Sequence, residues 1–163
     1  MLKIRKALIS DIKDITEIYN EAIKKTNATF DTIEKTVDEQ KSWFNNHGPK
    51  NPIILAEKNG SILGWAALSK YDTKCAYSDT TEMSLYIKKE NQGQGIGKKL
   101  MHEIIKQGEK AGIHSILARI TLGNNISIEL HKSVGFEIVG IMKEVGYKFG
   151  KRLDVVLMQK VLK

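Results

Sequence analysis

Cysteine is almost absent: Cys75 stands alone in 163 residues. That excludes an intrachain disulfide and leaves no basis for a cysteine-held metal cluster. The four histidines, His47, His102, His114 and His131, never form a His-x-x-x-His pair, so no helical zinc site is expected and no metal is assigned. Proline is scarce as well, with Pro49 and Pro52 bracketing one short loop. Repeats, low-complexity stretches and Pro/Gly-rich linkers are missing, and the length suits a single domain over residues 1–163. No apolar run comes near the roughly 20 residues needed to cross a bilayer. The opening Met1-Leu-Lys-Ile-Arg-Lys alternates charge with apolar residues where a signal peptide would carry a hydrophobic block. Together these absences lead us to expect a soluble cytoplasmic protein.

Arginine is rare too. The net charge of +7 rests on 26 Lys+Arg against 19 Asp+Glu, yet only Arg5, Arg119 and Arg152 are arginines. One reading is a surface solvated by lysines; the other is an anionic partner. Nucleic-acid readers favour Arg clusters with interleaved aromatics, which this chain lacks, so a small polyanionic ligand suits it better than nucleic acid or a membrane.

What is present fills a core: 41% of residues are apolar and 28% charged. Leu2 to Ala7 reads as a strand. Ser10 then stands as an N-cap with Asp11 and Asp14 in the first turn, followed by Ile12, Ile15, Ile18, Tyr19, Ala22 and Ile23 at helical spacing. A polar loop holding Phe30 leads to a second helix around Val37 to Phe44. Pro52–Glu57, Asn59-Gly60 and Ser61–Ser69 read as a hairpin, since Asn-Gly suits its tight turn. Glu82 to Lys88 alternates as a further strand. Gly93-Gln-Gly95-Ile-Gly97 opens a helix with an apolar stripe at Leu100, Met101, Ile104, Ile105 and Ala111. A strand over Ser115–Thr121, a helix over Ile126–Ser133 and strands near 137–145 and 152–161 complete the order β-α-α-β-β-β-α-β-α-β-β. This is an α/β (mixed α+β) pattern: a twisted mixed sheet with helices on both faces.

The glycine turn fits neither standard phosphate motif. A dinucleotide fingerprint needs Gly-x-Gly-x-x-Gly early in a βαβ unit, and a P-loop needs four residues between its glycines and then Lys-Ser/Thr. Glycines at a helix start still let a ligand approach unpaired N–H groups, which with the helix dipole favour phosphate. A tight strand-to-helix turn without a ligand is the competing reading.

Gln92-x-x-Gly95-x-Gly97 after a strand resembles the acetyl-CoA pyrophosphate loop of the GCN5-related N-acetyltransferases (GNAT superfamily). Asn124-x-x-Ser127-x-x-Leu130-His131-x-x-x-Gly135-Phe136 resembles a second element of that family, in the right order. Lys74-Cys-Ala-Tyr77, Thr81-Glu82-Met-Ser-Leu-Tyr86-Ile, Glu144-Val-Gly-Tyr147-Lys-Phe-Gly150 and Leu153-Asp154 are similar to the phosphinothricin and methionine sulfoximine acetyltransferase group. The resemblance spans essentially the whole chain. It implies the GNAT fold, with six to seven strands, and acetyl transfer from acetyl-CoA to the α-amino group of a small amino-acid-like acceptor. It also implies direct attack in a ternary complex and, as in related enzymes, a homodimer.

Residue roles follow from the same resemblance. Acyl transfer to an amine needs a neutral nucleophile, oxyanion stabilisation and a proton for the leaving thiolate. Glu82 would be the base; an ordinary carboxylate is weak toward an ammonium, so burial would have to strengthen it. Otherwise Glu82 is a solvated strand-end carboxylate. His131 stands where much of the superfamily has tyrosine and would act as acid or base, with a structural helix histidine as the alternative. Backbone groups of Leu85, Tyr86 and Ile87 would pair with pantetheine. Amides of Gln92, Gly93, Gln94, Gly95, Ile96, Gly97 and Lys98 would hold the pyrophosphate. Lys88, Lys89, Lys98 and Lys99 cluster about the loop and suit a polyanion, or are equally solvated surface lysines. Asn124 would reach the pantetheine arm, and Ser127 would fix the turn. Phe30, Lys74, Tyr77, Tyr86 and Tyr147 would surround the acceptor, Lys74 holding its carboxylate. Close phosphinothricin enzymes tend to carry arginine at the Lys74 position and lysine at the Asp72 position, a departure that disfavours phosphinothricin itself.

Overall fold

Two neighbouring strands of the sheet are buried on both faces, β2 (Ile53–Lys58) and β3 (Ser61–Lys70). Their near-continuous apolar runs suit strands covered from both sides. Ile53, Leu55, Trp65 and Ala67 enter one buried cluster, while Ile54, Ala56, Ala66 and Leu68 enter the other. That is the period-2 alternation of a strand read on two faces. Asn59 and Gly60, both at positive φ (51° and 77°), close the hairpin as expected for Asn-Gly.

The computed structural model describes all residues, 1–163. The remaining strands are β1 (Lys3–Lys6), β4 (Thr80–Ile87), β5 (Ser115–Thr121), β6 (Glu137–Lys148) and β7 (Lys151–Val161). The helices are α1 (Ile12–Lys25), α2 (Val37–Asn45), α3 (Ile96–Lys110) and α4 (Asn125–Ser133). One seven-stranded sheet runs β1-β2-β3-β4-β5-β7-β6, antiparallel throughout except for β4 and β5. Helix α1 lays Ile12, Ile15 and Ile18 on the Trp65 face, and α3 lays Leu100, Met101, Ile104 and Ile105 on the opposite face. No helix is long and apolar enough to cross a membrane.

Ser10 is not the N-cap of α1. A 3₁₀ turn over Ile9–Asp11 comes first, and the Asp11 carboxylate accepts from the Leu8 N–H at 2.8 Å. Asp11 also takes a fork from the Arg5 guanidinium at 2.8 and 2.9 Å, which holds its carboxyl below the usual carboxylate range. A buried aspartate with a two-pronged cationic partner wins this position over an exposed serine. Helix α2 begins at Val37 because Thr36 and Glu39 form a reciprocal capping box. Strand β6 extends further than its sequence pattern implied, to Lys148, through irregular pairing between Met142 and Gly146.

What matters for the site is the short ladder between β4 and β5. Only Thr80↔Ser115, Thr81↔Ile116 and Glu82↔Leu117 pair. Beyond Glu82, β4 remains bound to β3 through Ile87, and β5 to β7 through Thr121, so the two parallel strands part.

Candidate active site

A cavity of about 1280 Å³ opens where β4 and β5 diverge. Strand alternation divides its lining. Met83 on β4 and Ala118 and Ile120 on β5 belong to the core under α3. The intervening Glu82, Ser84, Tyr86, Arg119 and Thr121 therefore face the α1 side. There the loop after α1 closes over them with Thr29, Phe30 and Asp31. On the α3 side, the cavity runs along Leu85 and Ile87 to the glycine turn and to Asn124, Ser127 and His131 on α4.

The glycine turn is built as a cradle. Gly93 and Gly95 adopt φ of 75° and 77°, and a Cβ at either would meet no protein atom within 4 Å. That open space is where a ligand oxygen could approach the backbone. No side chain caps α3 at Gly95, so its first N–H groups face outward without partners in the helix. Gln92 and Gln94 point their amide groups back onto the carbonyls of Ile87 and Glu90, at 3.1 and 3.3 Å, and brace the turn rather than the ligand. Lys88, Lys89 and Lys98 stand on the lining; Lys99 does not. Along β4, the edge of Met83 to Ile87 facing away from β3 has no strand partner. It offers backbone donors and acceptors to an extended chain. A phosphate-rich ligand with an amide-bearing arm, such as acetyl-CoA, fits both features.

Asn124 caps α4, its Oδ1 accepting from the Ser127 N–H at 3.3 Å. Its amide nitrogen donates to no group of the chain. His131 is buried, and its Nδ1 donates to the Ser127 carbonyl at 2.7 Å. This bond fixes the tautomer and leaves Nε2 as the atom able to exchange a proton. Burial pushes the imidazole below its usual range, against a smaller opposing effect of the carbonyl, so the neutral form dominates at pH 7. His47, also shifted down by burial, shares the sign. For groups depressed in the folded state, the stability they contribute is present above the ordinary imidazole value. It is lost as pH falls through the lowered one. Thermal melts at pH 7.5 and 5.5 should therefore show an acid-side loss of stability that His131→Asn reduces in part. An undiminished loss would refute the buried neutral histidine.

Glu82 lies between the two readings open from the sequence, a carboxylate strengthened by burial and a solvated strand-end carboxylate. Its side chain keeps 24% of its surface, and its Oε1 accepts from Nε and Nη2 of Arg119 at 3.1 and 2.8 Å. Burial is opposed here because the divergence of the strands admits both solvent and a neighbouring guanidinium. Tyr86 is held among Tyr19 and Trp65, ring centres 5.1 and 5.0 Å away, and burial pushes its phenol up to about 12. Tyr19 hydrogen-bonds Thr29 at 3.0 Å and also donates to Asp31. Phe30 packs so tightly on Gly146 that a Cβ there would overlap its ring. Lys148, buried, donates to the Thr29 carbonyl at 2.8 Å, and the Thr121 hydroxyl donates to the Asn27 carbonyl at 2.6 Å. The loop is thus fastened over the cavity from β5 and β6.

Of the acceptor-side residues expected from the sequence, Phe30 and Tyr86 line the cavity; Lys74, Tyr77 and Tyr147 do not. Lys74 and Tyr77 are exposed in the connection between β3 and β4, where Tyr77 packs on Tyr71 and the Lys74 N–H donates to Asp72 at 2.8 Å. Tyr147 lies exposed on the outer strand beneath Arg152. Their spacing to the family motifs marks sequence position, and the chain path turns them away from the lining. Arg119, Tyr19, Thr29, Asp31 and Thr121 are residues the sequence reading did not single out. Arg119 did carry a signal, as one of only three arginines, standing on a strand beside the divergence.

Residues 4–157 match the model of the acetyltransferase (GNAT) domain. An L-methionine sulfoximine/L-methionine sulfone acetyltransferase from Pseudomonas aeruginosa is 34% identical over 158 residues, covering 96% of this chain and 92% of that protein. A phosphinothricin N-acetyltransferase from Streptomyces coelicolor is 32% identical, covering 99% of this chain and 96% of its own length. Among solved structures, a GNAT phosphinothricin acetyltransferase from Sinorhizobium meliloti in complex with acetyl-CoA superimposes with a TM-score of 0.95. It is 33% identical and covers 99% of this chain and 88% of its own. Matched from end to end in sequence and in fold, the chain belongs to the GNAT acetyltransferase family.

Proposed function

We propose that this protein is an acetyl-CoA-dependent N-acetyltransferase acting on the α-amino group of a small amino-acid-like acceptor. The observation that carries the reading is the divergence of β4 and β5, with Glu82 at its fork and the glycine cradle at its far end. Acetyl-CoA supplies the activated acetyl group as a thioester. The N–H groups from Gln92 to Lys98, with Lys88 and Lys98, hold its diphosphate. The free edge from Leu85 to Ile87 and the Asn124 amide hold its pantetheine arm. Glu82 Oε2, which accepts no bond within the chain, takes the proton that an acceptor ammonium must lose. His131 Nε2, neutral at rest, relays a proton. No cysteine lines the cavity, which favours direct attack in a ternary complex over an acylated enzyme.

Phe30 and Tyr86 form the acceptor walls. The lone exposed Cys75 suits a reducing, cytoplasmic compartment. A homodimer is supported by the outer strand β6, where Ile138, Val139, Ile141, Val145 and Tyr147 are exposed, with Phe149 exposed in the turn that follows. An edge strand this apolar is a pairing liability unless covered. Sedimentation as a monomer at micromolar concentration would overturn the dimer.

The activity is tested by steady-state release of free thiol from acetyl-CoA against methionine sulfoximine, methionine sulfone, phosphinothricin, ordinary amino acids and a polyamine. We expect the sulfoximine and sulfone to lead. Preference for the polyamine would move the acceptor class. Acetyl-CoA binding without turnover on any amine would leave only an acyl-CoA-binding module.

A further inference from the structure

We propose that Arg119 and Glu82 together read the zwitterionic head of the acceptor, Arg119 binding its α-carboxylate and Glu82 its α-ammonium. This rests on the acetyltransferase reading above and assigns the carboxylate partner that the exposed Lys74 does not supply.

Five cationic side chains line the cavity. Lys88, Lys89 and Lys98 stand at the glycine turn, in the part suited to phosphate. Lys25, at the end of α1, pairs with Glu21 at 3.3 Å and is largely exposed. Arg119 alone lies beside the proposed base. Its place follows from register: Glu82↔Leu117 is the last rung between β4 and β5, and Arg119, two residues on, projects on the same face.

The geometry of the pair is incomplete in a particular way. Nε and Nη2 both bond Oε1 of Glu82, while Arg119 Nη1 and Glu82 Oε2 bond no group of the chain. Each partner therefore presents one unused polar edge to the cavity. An α-amino acid carries an ammonium and a carboxylate on one carbon, with the same charges in complementary order. It can place its ammonium on Oε2 and its carboxylate on the open guanidinium edge. Charge is conserved within the site on binding, and no uncompensated ion is left behind. A planar guanidinium serves two carboxylates at once because its donors lie along separate edges. Lysine, a point donor, does not. A monocationic amine lacks the second anchor and would leave that edge of Arg119 unsatisfied. Tyr86 and Phe30 line the same cavity and offer apolar surface for the acceptor side chain.

The experiment compares L-methionine sulfone with its α-carboxamide, which keeps the amine and removes the anionic carboxylate. The ratio of kcat/KM for the two acceptors is measured in wild type, Arg119→Gln and Arg119→Lys. Taking the ratio across variants cancels the carboxamide's lower amine basicity. In Arg119→Gln the ratio should fall roughly 10- to 100-fold, as expected for loss of a charge-assisted hydrogen bond. The selective part of the loss should come through KM of the sulfone, while any loss from freeing Glu82 of its partner falls on both acceptors and cancels in the ratio. Arg119→Lys should recover only part of it. Calorimetric titration of the sulfone into the CoA-saturated protein should weaken by a similar factor, with CoA affinity unchanged. An unchanged ratio overturns the proposal while leaving the acetyltransferase reading intact. Equal losses for both acceptors also overturn it, because that pattern belongs to an arginine that only orients Glu82. Failure of wild type to acetylate any α-amino acid removes both.

Discussion

Replacing Glu82 by glutamine should lower turnover about 100- to 1,000-fold while leaving the acetyl-CoA dissociation constant within about threefold. The amide keeps the shape of the side chain and can still accept from Arg119, so β4 and the cavity wall stay in place. What it loses is the ability to take a proton from an ammonium, and most of the amine is protonated at neutral pH. The pair with Arg119 is partly exposed, at 24% and 59% of side-chain surface, where ion pairs are worth only about 0–1 kcal/mol. The thermal midpoint should therefore hardly move, and that separates a chemical role from a structural one. Raising the pH should recover part of the loss, because more of the acceptor amine is then already neutral. Turnover within threefold of wild type on a verified acceptor would sink the assignment.

The second large effect lies at the other end of the cavity. Gly95→Val should raise the acetyl-CoA dissociation constant about 100-fold or more, with the sheet and both helical faces intact. Gly95 sits at φ 77°, a left-handed conformation that a β-branched residue adopts only with strain of order 1–3 kcal/mol. A side chain there would meet no protein atom, so it obstructs the space above the N–H groups instead of the core. Losing two charge-assisted hydrogen bonds, each worth about 1.5–3 kcal/mol, accounts for the expected factor. Gly95→Ala should fall between wild type and valine. Calorimetry with CoA alone reads the effect without any acceptor, and affinity kept within threefold would count against the loop.

Much of the fold was legible because its signals are local. Helices α1 and α3 declare themselves by apolar spacing, the hairpin between β2 and β3 by Asn59-Gly60, and the parallel β4-α3-β5 unit by a glycine turn between strand and helix. The failure at Ser10 was local too, but its cause was not. Asp11 outcompetes it through Arg5, which belongs to a different element. The glycine turn was equally readable, since a cradle of positive-φ positions needs only glycines in sequence.

The acceptor side was not. Phe30 and Tyr86 line the cavity, whereas Lys74, Tyr77 and Tyr147, expected there from their positions relative to the motifs, do not. The chain path carries them to exposed surface. Asp31 and Thr121 are ordinary residues in the sequence and Arg119 stands in no motif; they share one cavity only because β4 and β5 diverge under the loop after α1.

The sequence by itself thus determined the element order and the glycine cradle, because each depends on neighbours within a few positions. Tertiary structure decided that β4 and β5 separate after one short ladder and that Glu82 emerges there partly exposed. It also decided that a rare arginine 37 residues away reaches its carboxylate. Such juxtapositions are set by how strands register across a sheet, and register is a property of the packed whole.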